Sequence, residues 1–557
     1  MAAPTYEEAL AQVTANGARF EVGDVEIRGQ AYKHFKNTPR SLRDVFAPSR
    51  ERDGIFLVYE DERWSFQDTM ARVDAIAATL VNRYGVEKGD RVAIAMRNYP
   101  EWVASFAAIT SIGAIAVSMN AWWTEDEMAY GLEDSGTKVL LADHERIERA
   151  APNLERLGVK AIAVRAEAPL PPHVEHLRDV LEEGAPMPEV EIDPDDDATI
   201  LYTSGTTGFP KGAVSSHRAV LSAIMAFGCR AAVRAAMKAD EPPHPFPVTF
   251  ILIVPLFHVT GSVAVMLNAF IAGVKLVMMY KWNPERALEL IERERVTNFV
   301  GVPTMSWDLL ESPNFDKHDT SSLTNVGGGG APAPPELVRR IDKSFSKGRP
   351  TIGYGMTETN AYGPQNDGDD YLRKPTSAGR TVPIVQMRVI DPEGKPVGPG
   401  EVGEICFRGP NLIRGYWNKP EATEEVLQDG WLRSGDIGRI DEEGFIYVED
   451  RAKDMVLRGG ENIYCAEVEA AIYEHPAIYE AAVFGVPHER LGEEVAAAIY
   501  LRPGESLDED QLREHLAARI AGFKIPSRIR ALGEPLPRNA SGKILKRSLR
   551  DRIVDES

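Results

Sequence analysis

After the apolar step 198–201 the chain reads Tyr202-Thr-Ser-Gly-Thr-Thr-Gly-Phe-Pro-Lys-Gly212. Its glycines permit tight turns, the hydroxyls of Thr203, Ser204, Thr206 and Thr207 supply hydrogen-bond donors, and Lys211 supplies a positive charge. Such a set suits the oxygens of a polyphosphate, although a flexible surface loop rich in Gly and Thr has the same composition. A Walker A loop does not fit. It needs Gly-Lys followed by Ser or Thr, whereas Lys211 lies between Pro210 and Gly212, and Gly542-Lys543 is followed by Ile544. A second stretch, Val326-Gly-Gly-Gly-Gly-Ala-Pro332, is dense in glycine. Each glycine costs about 0.5–1 kcal/mol against alanine in ordered structure, so four in a row imply that something passes close to the backbone. In a third, Gly353-Tyr-Gly-Met-Thr-Glu358, Tyr354 can stack on a purine, Thr357 can donate to an α-phosphate and Glu358 can hold Mg²⁺, a hard cation that takes oxygen ligands. Alone, a Tyr and a Glu at this spacing are surface commonplaces.

The run Thr-Ser-Gly-Thr-Thr-Gly-x-Pro-Lys-Gly resembles the phosphate loop of the acyl-adenylate-forming enzymes, the superfamily of acyl-CoA synthetases, stand-alone adenylation domains and firefly-type luciferases. Further motifs follow in that family's order, and the resemblance spans most of the chain. It implies a phosphate loop of Thr203, Ser204, Gly205, Thr206, Thr207, Gly208 and Lys211, and an adenine-binding turn of Gly329, Gly330, Ala331 and Pro332; Gly327 and Gly328 exceed the commonest form of that turn. Tyr354, Gly355 and Thr357 would contact the nucleotide, and Thr203 and Glu358 the metal. Asp436 in Ser434-Gly-Asp436 would accept from the ribose hydroxyls, with Arg451 on the same sugar. Lys543, in Pro537-Arg-Asn-Ala-Ser-Gly-Lys-Ile544, falls at the family's catalytic lysine and completes a catalytic set with Lys211, Thr357 and Glu358. The resemblance also places a hinge at Lys453 and a thiol tunnel beside Gly459 and Gly460. His258, in Pro255-Leu-Phe-His-Val-Thr260, stands in apolar text where a histidine is ordinarily a satisfied core residue; the family commonly carries an aromatic or His there, beside the acyl site. With Val302, Gly328 and Gly329 it would border the acid.

The chemistry implied is two-step. Transfer of AMP from ATP gives a carboxylate a phosphate ester as leaving group, with cations and Mg²⁺ holding the phosphate charge, and the thiol of CoA then displaces AMP. No Asp or Glu occurs from 251 to 283, where an enzyme for amino acids would hold an α-ammonium. An apolar acid is therefore expected, a medium- or long-chain fatty acid or a bulky aryl-alkanoic acid, in a pocket of Val300, Val302, Met305, Trp307 and the bare Gly327 to Gly330 turn. An acyl-AMP ligase loading a carrier protein shares the first step, though no appended carrier module is visible after Lys543. A luciferase-like oxygenase shares the motifs without further signal. A catalytically silent nucleotide-binding scaffold would normally lack one of Lys211, Glu358, Asp436, Arg451 or Lys543, and all five are present.

The elements that would position these groups read as α/β architecture with an added small barrel. From Ile55 onward strands alternate with helices, as in parallel sheets covered on both faces, and the pattern resumes after the phosphate loop with candidate strands near 250–254, 275–279 and 297–300. The phosphate loop itself reads as a strand-to-helix connection, the helix beginning near Ser216. From about 377 to 448 short alternating runs cut by turns read as a small antiparallel barrel. Residues 450–454 read as a charged junction and 455–557 as a small α+β domain after a large domain of 1–449; the resemblance implies that the junction is a hinge and the small domain mobile. Residues 1 to about 45 show no strong pattern, and 238–247, with four prolines, reads as an exposed insertion.

A length of 557 residues allows several compact units and a large core. Three cysteines without CxxC spacing argue against a disulfide framework and a structural zinc site, and fit a reducing cytoplasm. The acidic N-terminus is unlike a secretory signal. The segment 262–280 is apolar enough to raise a membrane span, but Asn268, Gly273 and Lys275 interrupt it, so a buried helix and strand are expected instead. A net charge of −21 opposes nucleic-acid binding through a general field. The expected partners are the acid, ATP and CoA; peripheral membrane contact and a homodimer are left open.

Overall fold

A computed structural model of the chain describes residues 4–167, 169–203, 210–239, 241–459, 461–540 and 542–555. Two eight-stranded sheets dominate it. In the first, strands Asp197–Tyr202, Ile115–Ser118, Arg91–Ala95, Val139–Asp143, Lys160–Val164 and Val174–His176 run parallel in that order. Beyond Asp197–Tyr202 come the antiparallel Gly212–Ser216 and Gly415–Tyr416. In the second, Arg349–Gly353, Asn325–Gly329, Asn298–Gly301, Thr249–Leu252, Lys275–Met278 and Ile55–Tyr59 are parallel, with antiparallel edges Gln365–Asp367 and Glu62–Ser65. Parallel strands covered on both faces must be apolar throughout, and all five residues of Val139–Asp143 are buried. Helices start and stop where local chemistry dictates. Ser65 and Asp68 form a capping box that opens helix Phe66–Asn82, and Gly136, Gly158 and Gly273 end helices in the left-handed conformation.

The antiparallel unit expected near 377–448 is a five-stranded sheet in which the long strand Trp431–Ile440 pairs with Gly403–Arg408, Leu427–Gln428 and Ile446–Arg451. Among the described residues no ladder joins its outer strands into a barrel; isolated bridges from Gly379 to Ile446 and from Arg380 to Gln365 tie it to the second sheet. The last hundred residues add another five-stranded sheet, Glu461–Ile463, Val456–Arg458, Gly492–Leu501 and Ile478–His488, with Arg528–Leu532 parallel to Gly492–Leu501. Each face of this sheet buries an apolar cluster, one around Val468, Ile472 and Leu512 and one around Phe484, Leu549 and Ile553.

Two expectations are corrected, and a third gains detail. The N-terminal stretch is regular: helix Tyr6–Val13, the hairpin Val22–Ile27 and Gln30–Phe35, and helix Leu42–Phe46. A strand, Gly212–Ser216, stands between the phosphate loop and helix His217–Met237, so the loop joins two antiparallel strands; the period of this short apolar run was too brief to separate from the helix that follows. The segment 262–280 is, as expected, a helix followed by a strand, but its first part, Thr260–Leu267, is a π-helix. The described helix that is long and apolar enough to cross a bilayer is instead His217–Met237, and 56% of its most apolar window is buried inside the fold, as for a core helix.

Candidate active site

Tyr202 pairs with Gly212 at the end of the hairpin, and the backbone N–H of Thr203 donates to the Lys211 carbonyl at 2.9 Å, so the phosphate loop leaves a closed base. The Thr203 hydroxyl donates to the same carbonyl at 3.3 Å. Ser204, Gly205, Thr206, Thr207 and Gly208 lie outside the described residues. Lys211 Nζ sits 4.5 Å from the centre of the Tyr416 ring, whose hydroxyl donates to Glu358 Oε1 at 2.7 Å. Tyr416 thus links the loop lysine to the carboxylate assigned to the metal. No local motif marks this tyrosine, because what places it is the long-range pairing of Gly415–Tyr416 with Gly212–Ser216.

Glu358 occupies a short 3-10 turn, Thr357–Thr359, followed by Asn360 and Ala361 at φ 52° and 66°. Left-handed backbone at non-glycine residues costs roughly 1–3 kcal/mol each and persists only where neighbours fix it. Here Asn360 Nδ2 donates to the Asn411 carbonyl at 3.0 Å, and Asn411 Nδ2 donates to those of Thr359 and Tyr362 at 2.9 and 3.2 Å.

Tyr354 donates its hydroxyl to Asp436 Oδ2 at 2.5 Å. Asp436 and Arg451 are cross-strand partners in the antiparallel unit, with Arg451 Nε 3.4 Å from Asp436 Oδ1. Burial raises the Asp436 pKa, and Arg451 and Tyr354 pull it back. The tyrosine expected to stack on the purine therefore also orients the carboxylate assigned to the ribose.

The glycine run has a more specific cause than the sequence suggested. Gly327, Gly328 and Gly329 belong to strand Asn325–Gly329, and a Cβ on them would lie 1.9, 1.7 and 2.3 Å from the carbonyl oxygens of Thr351, Gly301 and Gly353. Neighbouring strands, not a ligand, exclude side chains there. Only Gly330 faces open space, at φ +84°, with Lys543 Cε and Val302 Cγ1 each 3.7 Å from where its Cβ would be.

Lys543 arrives on a tight hairpin of the C-terminal unit. The Lys543 N–H donates to Asn539 Oδ1 at 3.0 Å, and the Asn539 N–H to the Lys543 carbonyl at 2.9 Å. Arg538 clamps the hairpin, donating to the Gly542 carbonyl at 2.8 Å and pairing with Glu480 at 2.7 Å. Burial, then the charge of Arg451, pushes the Lys543 pKa down to about 8 against the pull of Asp436 and Glu358. His258 is pushed down to about 3 by burial and by Lys543, so its ring is neutral at physiological pH. The Thr260 N–H donates to His258 Nδ1 at 3.3 Å, which leaves the ring proton on Nε2.

One cavity of about 3040 Å³ is lined by Thr203, Lys211, His258, Val302, Gly328, Gly329, Gly330, Ala331, Pro332, Tyr354, Gly355, Thr357, Glu358, Asp436, Arg451, Lys453 and Lys543. Lys211 and Asp436 therefore face the same space. Burial and Arg451 lower the pKa of Lys453. Val300 and Trp307 also line the cavity, whereas Met305 and Gly327 do not. Gly459, at φ +61°, donates its N–H to the Leu491 carbonyl at 2.8 Å and is not brought to the cavity; Gly460 lies outside the described residues.

Residues 46–417 match the AMP-binding enzyme family, and residues 467–543 match the AMP-binding enzyme C-terminal domain. A feruloyl-CoA synthase of Amycolatopsis sp is 35% identical over 494 residues, 87% of this chain and 94% of that protein. A long-chain fatty-acid–CoA ligase of Mycobacterium tuberculosis is 35% identical over 497 residues, 87% of this chain and 92% of that one. The ATP-bound structure of MatB from Rhodopseudomonas palustris superposes with a TM-score of 0.80 at 30% identity, covering 92% of this chain and 99% of that one. With its parallel sheets, antiparallel unit and C-terminal α+β unit arranged as in these adenylate-forming structures, the chain belongs to the AMP-binding enzyme family, as one of its acid–thiol ligases.

Proposed function

We propose that this enzyme transfers AMP from ATP to an acid with an apolar body, a medium- or long-chain fatty acid foremost, and passes the acyl group to CoA. The observation that carries this reading is Lys543 seated over Gly330, in one cavity with Asp436, Glu358 and His258. In the first step a carboxylate oxygen bonds to the α-phosphorus and pyrophosphate leaves; in the second the CoA thiol loses its proton to solvent, its sulfur bonds to the acyl carbon and AMP leaves. The Lys543 ammonium, brought in from the C-terminal unit, neutralises charge on the α-phosphate and the attacking carboxylate. Lys211 serves the departing phosphates. Neutral His258 offers a donor at Nε2 beside the acid, a positioning role and not that of a base.

Mg²⁺ fits the residues in a limited way. Among the described residues no group of three or more His, Cys, Asp or Glu could hold a metal. Thr203 and Glu358 provide one hydroxyl and one carboxylate, which suits an ion that keeps waters and binds mainly through substrate phosphates. When bound it neutralises charge developing on those phosphates.

The relatives named above are a feruloyl-CoA synthase and a long-chain fatty-acid–CoA ligase, whose names point to acids with a large carbon body. We assign the large unit to 1–449, the hinge to 450–454 around Lys453 and the small unit to 455–557, supported by the separate apolar clusters on the last sheet. Gly459 and Gly460 would border the thiol tunnel after the small unit turns. ATP–pyrophosphate exchange over a panel of acids tests the reading, followed by thioester formation with CoA or a pantetheinylated carrier. Exchange should be best with medium or long chains and should fall by at least about 10²-fold in Lys543→Ala, with nucleotide binding kept. Acetate as the best acid by kcat/KM would overturn the apolar pocket.

A further inference from the structure

The cavity continues past the reacting centre beneath helix His217–Met237, whose Phe227, Arg230, Ala231 and Arg234 are among its lining residues. On the floor, Asn298 and Val300 of strand Asn298–Gly301 point the same way, as does Val302 just beyond it. Val302 lies beside Gly330 and Lys543, so Asn298 is about 13 Å deeper at roughly 3.3 Å of rise per residue. Gly327, paired with Val300, puts no side chain into the floor.

At the deep end the apolar lining gives way to donors. Arg234 Nη2 donates to Asn325 Oδ1 at 2.9 Å, Asn325 Nδ2 donates to Asn298 Oδ1 at 2.5 Å, and Asn298 Nδ2 donates to Thr297 Oγ1 at 2.8 Å. The chain occupies both amide oxygens, whereas the guanidinium, with five N–H groups, makes this one hydrogen bond among the described residues. Arg234 Nη1 stands 4.0 Å from Asp367, a carboxylate already held by Arg230 at 2.8 Å. Two guanidiniums against one carboxylate leave the end of the channel positive. The Arg234 side chain is one-third exposed and lines the cavity, and burial lowers its pKa. A chain ending in methyl would strip water from these donors and return no partner.

We propose that the deep end of the acyl channel receives a hydrogen-bond-accepting oxygen, so that the acid activated here carries a carboxylate, hydroxyl or carbonyl remote from the carboxylate that reacts. This rests on the acid-activating reading above. The competing role for Arg234 is structural, tying the helix to strand Asn325–Gly329.

The test compares matched acids by ATP–pyrophosphate exchange on the full chain: dodecanoic against ω-hydroxydodecanoic acid, and dodecanoic against dodecanedioic acid. In at least one pair the oxygenated acid should be favoured at least tenfold in kcat/KM. Arg234→Met should cut that ratio at least tenfold, through KM of the oxygenated acid, and Arg234→Lys should keep part of it. Preference for the dioic over the hydroxy acid would identify the distal group as an anion, the reverse as a neutral oxygen. Exchange with plain and oxygenated acids alike at a wild-type ratio below ten, or a ratio insensitive to Arg234→Met, overturns the distal site alone. Exchange with no acid overturns the reaction as well. Should Arg234→Met not fold, the wild-type ratio and Arg234→Lys decide.

Discussion

Lys543 carries its own pH signature. Burial and Arg451 bring its pKa to about 8, and the ammonium is the form that can hold an α-phosphate. In the free enzyme kcat/KM for adenylation should stay level below that value and fall above it, one decade per pH unit. Lys543→Arg should abolish this limb, because a guanidinium does not deprotonate in the accessible range. A limb that stays in place in the arginine variant would assign it to another group. The sign of the linked stability follows: a lysine depressed from 10.5 makes the closed arrangement costly while it is protonated, and that cost fades as pH rises from about 8 toward 10.5. The residue types were readable beforehand because phosphate chemistry calls for hydroxyls, glycines and cations. The partners Tyr416, Asn411 and Arg234 were not, since each acts through contacts with residues distant in sequence.

Strand Asn325–Gly329 shows how one element serves packing and the site together. Its first three glycines pass neighbouring carbonyls at distances that admit no Cβ, while Gly330 opens the floor under Lys543. Gly327→Ala should therefore lower unfolding stability by about 1–3 kcal/mol, read as a drop in denaturation midpoint. An unchanged midpoint would mean that the strands can separate at little expense. Helix Pro303–Leu310 is the second such element. Asp308 Oδ1 accepts from the Tyr479 hydroxyl at 2.7 Å, and Glu311, just past the helix, pairs with Arg502 at 2.6 Å, both partners belonging to the C-terminal unit. These contacts hold the unit where Lys543 reaches the cavity. Tyr479→Phe combined with Glu311→Gln should slow single-turnover adenylate formation about tenfold, as for two lost charge-assisted bonds of partial exposure, and leave thioester formation from supplied acyl-AMP little affected. Equal slowing of both steps would show that the contacts merely stabilise the fold.

For the whole molecule, the cavity lies where two parallel sheets, an antiparallel unit and a C-terminal unit meet, and Lys453 stands in the turn between the last two. Lys453→Pro fixes φ at this turn, so adenylate formation should persist while CoA thioester formation falls by at least tenfold; equal retention of both would remove the hinge from this position. The amino-acid sequence determined the parallel α/β class, through strands apolar on both faces, and the chemical kind of the site, through short runs whose side chains suit phosphate and carboxylate. It also determined the end of helix Asn268–Ala272 at Gly273, because a left-handed cap is a local property. It did not determine the strand after the phosphate loop, the ordered N-terminal hairpin, or why strand Asn325–Gly329 is so rich in glycine. The first and last of these depend on pairing between segments far apart in the chain, Gly212–Ser216 with Gly415–Tyr416 and Gly327 with Thr351, whereas the N-terminal hairpin is a local pairing whose alternation is too weak to read. Only tertiary structure decided the polar deep end of the cavity, since Arg234, Asn325 and Asn298 become neighbours solely when the helix lies across the sheet.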